Sequence, residues 1–269
     1  MGMISTVLST SAESRIRELT SLDASVRGPL PLSTRVGFVG VAGGVGTSTA
    51  AGLAVSVLVS RRGGRILAVN ASSGRRSVLW RAGLTDDASP DPGTAAQRAG
   101  ARQAADAVQG LARTPGGGYA IDLADADRTT ADARWWETVA PVSRFFDFVV
   151  TDWGVRRADD LSDVTASSSL VCVTTAADLP AIQHGLDLAN TAEGAGTRAV
   201  LAVVDTQARL TGALRVVLDR LPIPAVVLPH DLAHAATSPA PSTRLRATTN
   251  LGALRLATTL VDRARGRRA

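Results

Sequence analysis

Short apolar runs and helix-forming stretches alternate along most of this chain. Runs rich in Val, Leu or Ile occupy 35–41, 65–69, 119–123, 146–151, 169–174, 198–204 and 224–228, and each predicts a strand. Between them, 48–61, 94–111, 130–139, 178–193, 211–220 and 248–265 predict helices. Asp178 is placed to cap the fourth of these, while Gly185 weakens its middle. Near-continuous apolar strands alternating with helices predict an α/β fold: a doubly wound, mainly parallel sheet with helices on both faces. Segment 84–118 shows the least pattern, being rich in Ala, Gly, Asp and Pro.

Residues 1–34 read as an N-terminal extension and linker. Thr10 and Glu13 have capping-box spacing and Ile16 and Leu19 follow, which predicts a short helix around 11–20. Gly28-Pro29-Leu30-Pro31 then leads stiffly into the first strand. The main domain spans 35–265, and 266–269 form a basic tail.

Of the 269 residues, 45% are hydrophobic, enough for a large buried core and against general disorder. The single cysteine, Cys172, excludes an internal disulfide, and its apolar surroundings mark it as a core residue. The N-terminus lacks the pattern of a signal peptide, and the longest apolar run, Ala50 to Val59, is too short to cross a bilayer. A cytoplasmic protein is expected. Net charge is +5, and the last eight residues hold four arginines and one aspartate. Arg263, Arg265, Arg267 and Arg268 therefore suit either non-specific DNA or an anionic membrane, which would place the protein peripherally at that surface. A solvated helix end whose charges complement the helix dipole is the plainer alternative.

The richest segment is Gly40-Val41-Ala42-Gly43-Gly44-Val45-Gly46-Thr47-Ser48-Thr49. It follows an apolar strand and opens a helix, the context in which a glycine-rich loop cradles phosphate with backbone amides. Gly43, Gly44 and Gly46 permit close backbone approach, the amides of residues 44 to 48 would form an anion nest, and Val45, Thr47, Ser48 and Thr49 complete the candidate nucleotide-binding residues. Ser48 stands where such loops bind Mg²⁺. The lysine that reaches the outer phosphates is missing: Thr47 takes its place, and all 29 basic residues are arginines. A tight turn that binds nothing is the alternative. The second element is the apolar run from Phe145 that ends at Asp152, an acid suited to the water shell of a Mg²⁺ ion or to capping the next turn.

With these two elements the chain resembles the MinD/ParA group of P-loop ATPases, whose deviant Walker A loop reads K-G-G-x-G-K-[ST]-[ST] against A-G-G-V-G-T-S-T at 42–49. The resemblance covers nearly all of 35–265. It takes in the strand 65–69, the Walker B strand ending at Asp152, and Leu228-Pro229-His230-Asp231, which looks like a loop near the family's base site. It implies a P-loop NTPase fold, ATP and Mg²⁺ as ligands, protein partners and a homodimer. It also exposes departures. The signature lysine is Ala42, the Walker A lysine is Thr47, the D-x-D segment reads Asn70-Ala71-Ser72, and Asp205 replaces an asparagine tied to adenine recognition. A phosphate cradle without its charged apparatus implies lost or strongly reduced hydrolysis and a role in binding or positioning partners. A slow ATPase with a nucleotide-controlled dimer cycle and a basic adaptor are the alternatives. Among degenerate branches, the lysine-free composition looks like the MinD-like proteins of actinobacterial type VII secretion loci.

Two arginine pairs, Arg75-Arg76 and Arg156-Arg157, follow the degenerate segments and are candidates to replace the lost charge; solvated loop arginines are the alternative. His230 and His234 have i, i+4 spacing but no supporting ligand cluster. Trp135 and Trp136 are expected to pack against the sheet. The apolar face of 248–265 predicts either the closing helix of the fold or a membrane-binding helix.

Overall fold

The computed structural model describes residues 2–30, 33–74, 76–84, 88–124, 128–235 and 245–266, with backbone alone for 2–12, 128–130 and 235. Eight strands form one sheet: β1 (Thr34–Gly40), β2 (Ile66–Asn70), β3 (Ala112–Arg113), β4 (Tyr119–Asp122), β5 (Phe148–Val155), β6 (Leu170–Ala176), β7 (Arg198–Val204) and β8 (Ala225–Leu228). Their order is β3-β4-β2-β5-β1-β6-β7-β8, and every pairing is parallel except β3 with β4. All seven expected strands are present, and the antiparallel edge strand β3 is additional.

Period-two alternation feeds two apolar layers. Along β7, Ala199, Leu201 and Val203 enter one core, while Val200, Ala202 and Val204 enter the other. The first layer is closed by α6 (Arg128–Thr138), α8 (Leu161–Ser167), α9 (Leu179–Gly194) and α10 (Gly212–Leu218). The second is closed by α2 (Thr47–Arg62) and α11 (Ala247–Ala264), with α1 (Gly2–Arg27) lying on both. The doubly wound α/β arrangement expected from the sequence is the one observed.

Local chemistry explains the element ends. α2 starts after Gly46 (φ 95°) and stops at Gly63 (φ 65°), two left-handed positions that glycine adopts without strain. Asp178 caps α9 by accepting from the Ala181 amide at 2.9 Å, as expected. Gly185 inside α9 has a packing reason: a Cβ there would stand 2.9 Å from Leu201 Cδ1, so its absence lets the helix sit close on β7.

Three expectations need correction. The helix expected at 11–20 runs from Gly2 to Arg27, because nothing breaks it before Gly28-Pro29. It is docked rather than loose: Val26 is fully buried, and Ser25 Oγ donates to Asp262 Oδ1 at 2.7 Å. The helix expected at 94–111 is two short ones, α4 (Pro92–Ala99) and α5 (Ala104–Ala107), separated at Gly100. Three further short helices among the described residues went unpredicted, α3 (Val78–Arg81), α7 (Ala140–Ser143) and α8. Finally, β5 does not end at Asp152 but continues to Val155.

Candidate functional site

β1 lies between β5 and β6, where the strand order reverses, and the loop after β1 opens at the carboxyl ends of the strands. Open parallel sheets place ligands at such a crevice. A cleft of about 650 Å³ occupies this position. Its floor is the glycine-rich loop: Gly43, Gly44, Gly46, Thr47, Ser48 and Thr49 line it. Val45 does not; its side chain is buried in the core layer.

The loop is shaped for an anion. Gly44 (φ 78°) and Gly46 (φ 95°) turn the backbone left-handed. Among the described residues, no acceptor receives the amides of residues 43–48. Six donors at the N-terminus of a sixteen-residue helix make a phosphate cradle. A Cβ on Gly43 would touch nothing within 4 Å, so the backbone there is open to a ligand. Thr47 cannot do a lysine's work: it is only 8% exposed, and its Oγ1 packs where a Cβ of Gly40 would stand.

Asp152 lies under the cradle, in register with Phe38 of β1 and Asn70 of β2, and is wholly buried. Burial pushes its carboxyl above the usual range, while bonds from Ser48, Gly154, Ser72 and the Val78 amide oppose that rise without cancelling it. The two expected metal-site residues, Ser48 and Asp152, thus stand near each other beneath the loop. An oxygen pair of this kind suits Mg²⁺, which takes one or two protein ligands alongside phosphate and water. The residues fit both a phosphate and the ion.

The neighbouring D-x-D position is neutral in chemistry as well as in sequence. Asn70 Nδ2 donates to Asp122 Oδ1 at 2.9 Å, and its Oδ1 accepts from Ser72 Oγ at 2.9 Å. Ser72 Oγ also lies 3.3 Å from Asp152 Oδ2. The chain Asp122–Asn70–Ser72–Asp152 ties β4, β2 and β5 together at the strand ends. Among the described residues it leaves no second carboxylate bonded beside Asp152 to orient an attacking water.

The late loops serve structure too. Asp205 lines the cleft, but its carboxylate accepts from the Arg209 and Leu210 amides at 2.8 and 3.2 Å. Burial would raise the Asp231 carboxyl, but bonds from the Arg246 amide, Thr249 and the Ala233 amide hold it below the usual range. Those bonds fasten the start of α11. His230 and His234 both line the cleft, yet only 232–235 form a 3-10 turn, and His230 Nδ1 faces the Asp205 carbonyl at 3.2 Å. No metal-binding group of three or more His, Cys, Asp or Glu occurs among the described residues.

The arginine pairs separate. Arg156 lines the cleft but is 3% exposed; it pairs with Asp132 at 3.1 Å and lies 5.6 Å from the Trp153 ring. Arg157 is exposed and does not line the cleft. Arg76 is exposed and does line it, and Arg75 lies outside the described residues. Arg81, which no sequence motif marks, also lines the cleft from the end of α3. Its only signal was the Ser77 cap of that one-turn helix.

Trp135 is buried and donates to Thr151 Oγ1 at 3.1 Å, as a sheet-packing residue should, whereas Trp136 is exposed. Leu256, Leu260 and Val261 of α11 are fully buried, so this helix closes the fold and its apolar face is occupied. Arg263 pairs with Glu193, and Arg265 Nε donates to the Pro29 carbonyl at 2.8 Å. Two of the four tail cations are therefore engaged internally; Arg267 and Arg268 lie outside the described residues. No described helix is long and apolar enough to cross a membrane.

No protein-family model matches the sequence, and no curated protein matches it. Solved structures do match in shape. The cell-division ATPase MinD of Pyrococcus furiosus superposes with a TM-score of 0.62 at 20% identity, over 85% of this chain and 98% of that one. The fold is that of the MinD and ParA ATPases. MinD of Pyrococcus horikoshii, solved with Mg-ADP, gives 0.63 at 18% identity over 83% and 94% of the two chains. A ParA-family ATPase of Chlorobium tepidum gives 0.59 at 17% over 87% and 98%. The MinD/ParA architecture thus extends over most of this chain.

Proposed function

We propose that this protein is a degenerate member of the MinD/ParA ATPases that binds nucleotide in the cleft and acts mainly by binding or positioning protein partners, with ATP hydrolysis lost or strongly reduced. One observation carries the reading: the cradle of amides is intact with Ser48 and Asp152 beside it, while Thr47 is packed inward and the neutral Asn70 and Ser72, bonded to each other, stand where acids are expected. The part that grips is present and the part that drives chemistry is absent. The Mg-ADP bound by the Pyrococcus horikoshii relative supports the same choice of ligand.

The amides of residues 43–48 would hold the phosphates, and Ser48 and Asp152 would hold Mg²⁺ directly or through water. The ion supplies charge that offsets the phosphate oxygens. Asp152 contributes a buried carboxylate that charge would stabilise, and Gly154 fixes it through its amide at 3.0 Å. Among the described residues, Ser72 and Asn70 take the place beside Asp152 where a second acid would accept a proton from water.

The intact Ser48–Asp152 pair equally favours a second reading, a slow ATPase whose nucleotide controls a homodimer. A basic adaptor for DNA or membrane is less favoured, since Arg263 and Arg265 are committed within the chain. The lysine-free composition supports a place beside the MinD-like proteins of actinobacterial type VII secretion loci. Titration calorimetry with Mg-ATP and Mg-ADP tests the binding step. Saturable binding weakened by Ser48→Ala supports it, and no heat from either ligand at millimolar concentration overturns it.

A further inference from the structure

Arg81 closes the one-turn helix α3 and stands at the edge of the cleft. Its place is set by packing. Gly52 of α2 abuts Arg81 Cβ so closely that any side chain at 52 would overlap it. Gly52 lies one turn after Thr49, so α3 is pinned beside the helix end that forms the cradle. From there the side chain reaches to the 232–235 turn, where Nη1 donates to the His234 carbonyl at 2.8 Å.

The rest of the guanidinium is unused. Nε is buried with no hydrogen-bond partner, and no carboxylate pairs with Arg81 among the described residues. Arg76 approaches the same place: the two guanidinium carbons lie 5.0 and 5.7 Å from the Trp80 ring centre. Two like charges, one of them half-buried, thus converge without a counter-ion among the described residues. Such an arrangement is costly unless an anion joins it. A guanidinium held by an aromatic face and one carbonyl keeps its remaining donors oriented, which suits the oxygens of a phosphate.

We propose that Arg81, assisted by Arg76, supplies the cation of this phosphate site in place of the missing lysines, and that the site selects ligands with an extended polyphosphate chain. The inference rests on the reading that the loop binds phosphate. Arg81 approaches from α3 rather than from the loop, so it would reach phosphate oxygens other than those the amides hold. Arg156, a candidate by sequence position, is held to Asp132.

The test is calorimetry on the full chain with ATP, AMP and inorganic tripolyphosphate, comparing wild type, Arg81→Gln and the cradle variant Gly43→Ala, each checked for folding by thermal melt. Arg81→Gln is expected to lose about 10- to 100-fold in affinity for ATP and tripolyphosphate, with AMP changed less than about twofold. Equal ATP affinity in wild type and Arg81→Gln, with Gly43→Ala defective, overturns the role of Arg81 and leaves the cradle standing. No binding of tripolyphosphate or ATP by wild type overturns both. Should Arg81→Gln fail to fold, Arg81→Lys and exposed-site Arg76→Gln replace it; each is expected to bind ATP several-fold more weakly, and unchanged affinity in both overturns the assignment.

Discussion

Ser72 Oγ lies 3.3 Å from Asp152 Oδ2 and 2.9 Å from Asn70 Oδ1, so one hydroxyl bridges the buried acid and the amide in place of a second acid. A carboxylate in place of Ser72 would face Asp152 across this gap with burial on all sides. Ser72→Asp is therefore expected to destabilise the fold by about 3–5 kcal/mol at neutral pH, the scale of an uncompensated buried charge. Chemical denaturation at pH 7 and pH 4 checks it. The loss should shrink at pH 4, where the pair can keep a proton, and a loss that is the same at both pH values would contradict the electrostatic origin.

Asp152 itself should give stability a pH slope of known sign. Burial raises its folded value above the unfolded one, so the native state binds the proton more tightly. Its contribution is fully present below about pH 3.9, the unfolded carboxylate value, and is lost as pH rises through the raised folded value. Asp152→Asn has no such titration. Wild type should lose ground to Asp152→Asn as pH rises above about 3.9, a trend that melts across the pH range would read directly. A difference independent of pH would show that Asp152 is not held up by burial.

Thr47 occupies an inward niche beside Gly40, and a lysine there would have to leave it for the open cleft above Gly43. Thr47→Lys should strengthen Mg-ATP binding by about 1.5–3 kcal/mol, the worth of one charged hydrogen bond. It should not restore turnover, because Asn70 and Ser72 remain neutral. Calorimetry and a phosphate-release assay on the same sample separate the two effects.

The cradle glycines should differ in what they protect. Gly46 combines φ 95° with Val204 Cγ1 2.9 Å from a would-be Cβ, so Gly46→Ala should cost about 1–3 kcal/mol of stability. Gly43 has open space around it, so Gly43→Ala should leave the melting temperature within about 1 °C while weakening phosphate binding. Equal melting temperatures for the two variants would contradict the geometry of the loop.

Much of this architecture was legible because local patterns and tertiary packing agree. The alternation in β7 sorts its residues between two cores, and the glycines at 46 and 63 bracket α2. The site was legible where it depends on backbone, in the loop, and where a buried acid follows an apolar run, at Asp152. It was illegible where long-range contacts decide. The acid at Asp152 suggested a strand end, yet Ser72 and Gly154 satisfy it inside β5. Arg156 looked free beside Arg157 until Asp132 of α6 met it. Arg81 has no motif around it, and only the approach of α3 to Gly52 brings it to the cleft. The two-residue strand β3 is too short to carry a periodic signal.

The most direct measurement of the central claim is phosphate release from Mg-ATP by the purified full chain under saturating nucleotide, run beside Asp152→Ala. The account predicts that nucleotide binds while release from wild type stays at the level of Asp152→Ala. Sustained turnover by wild type that Asp152→Ala abolishes would contradict it.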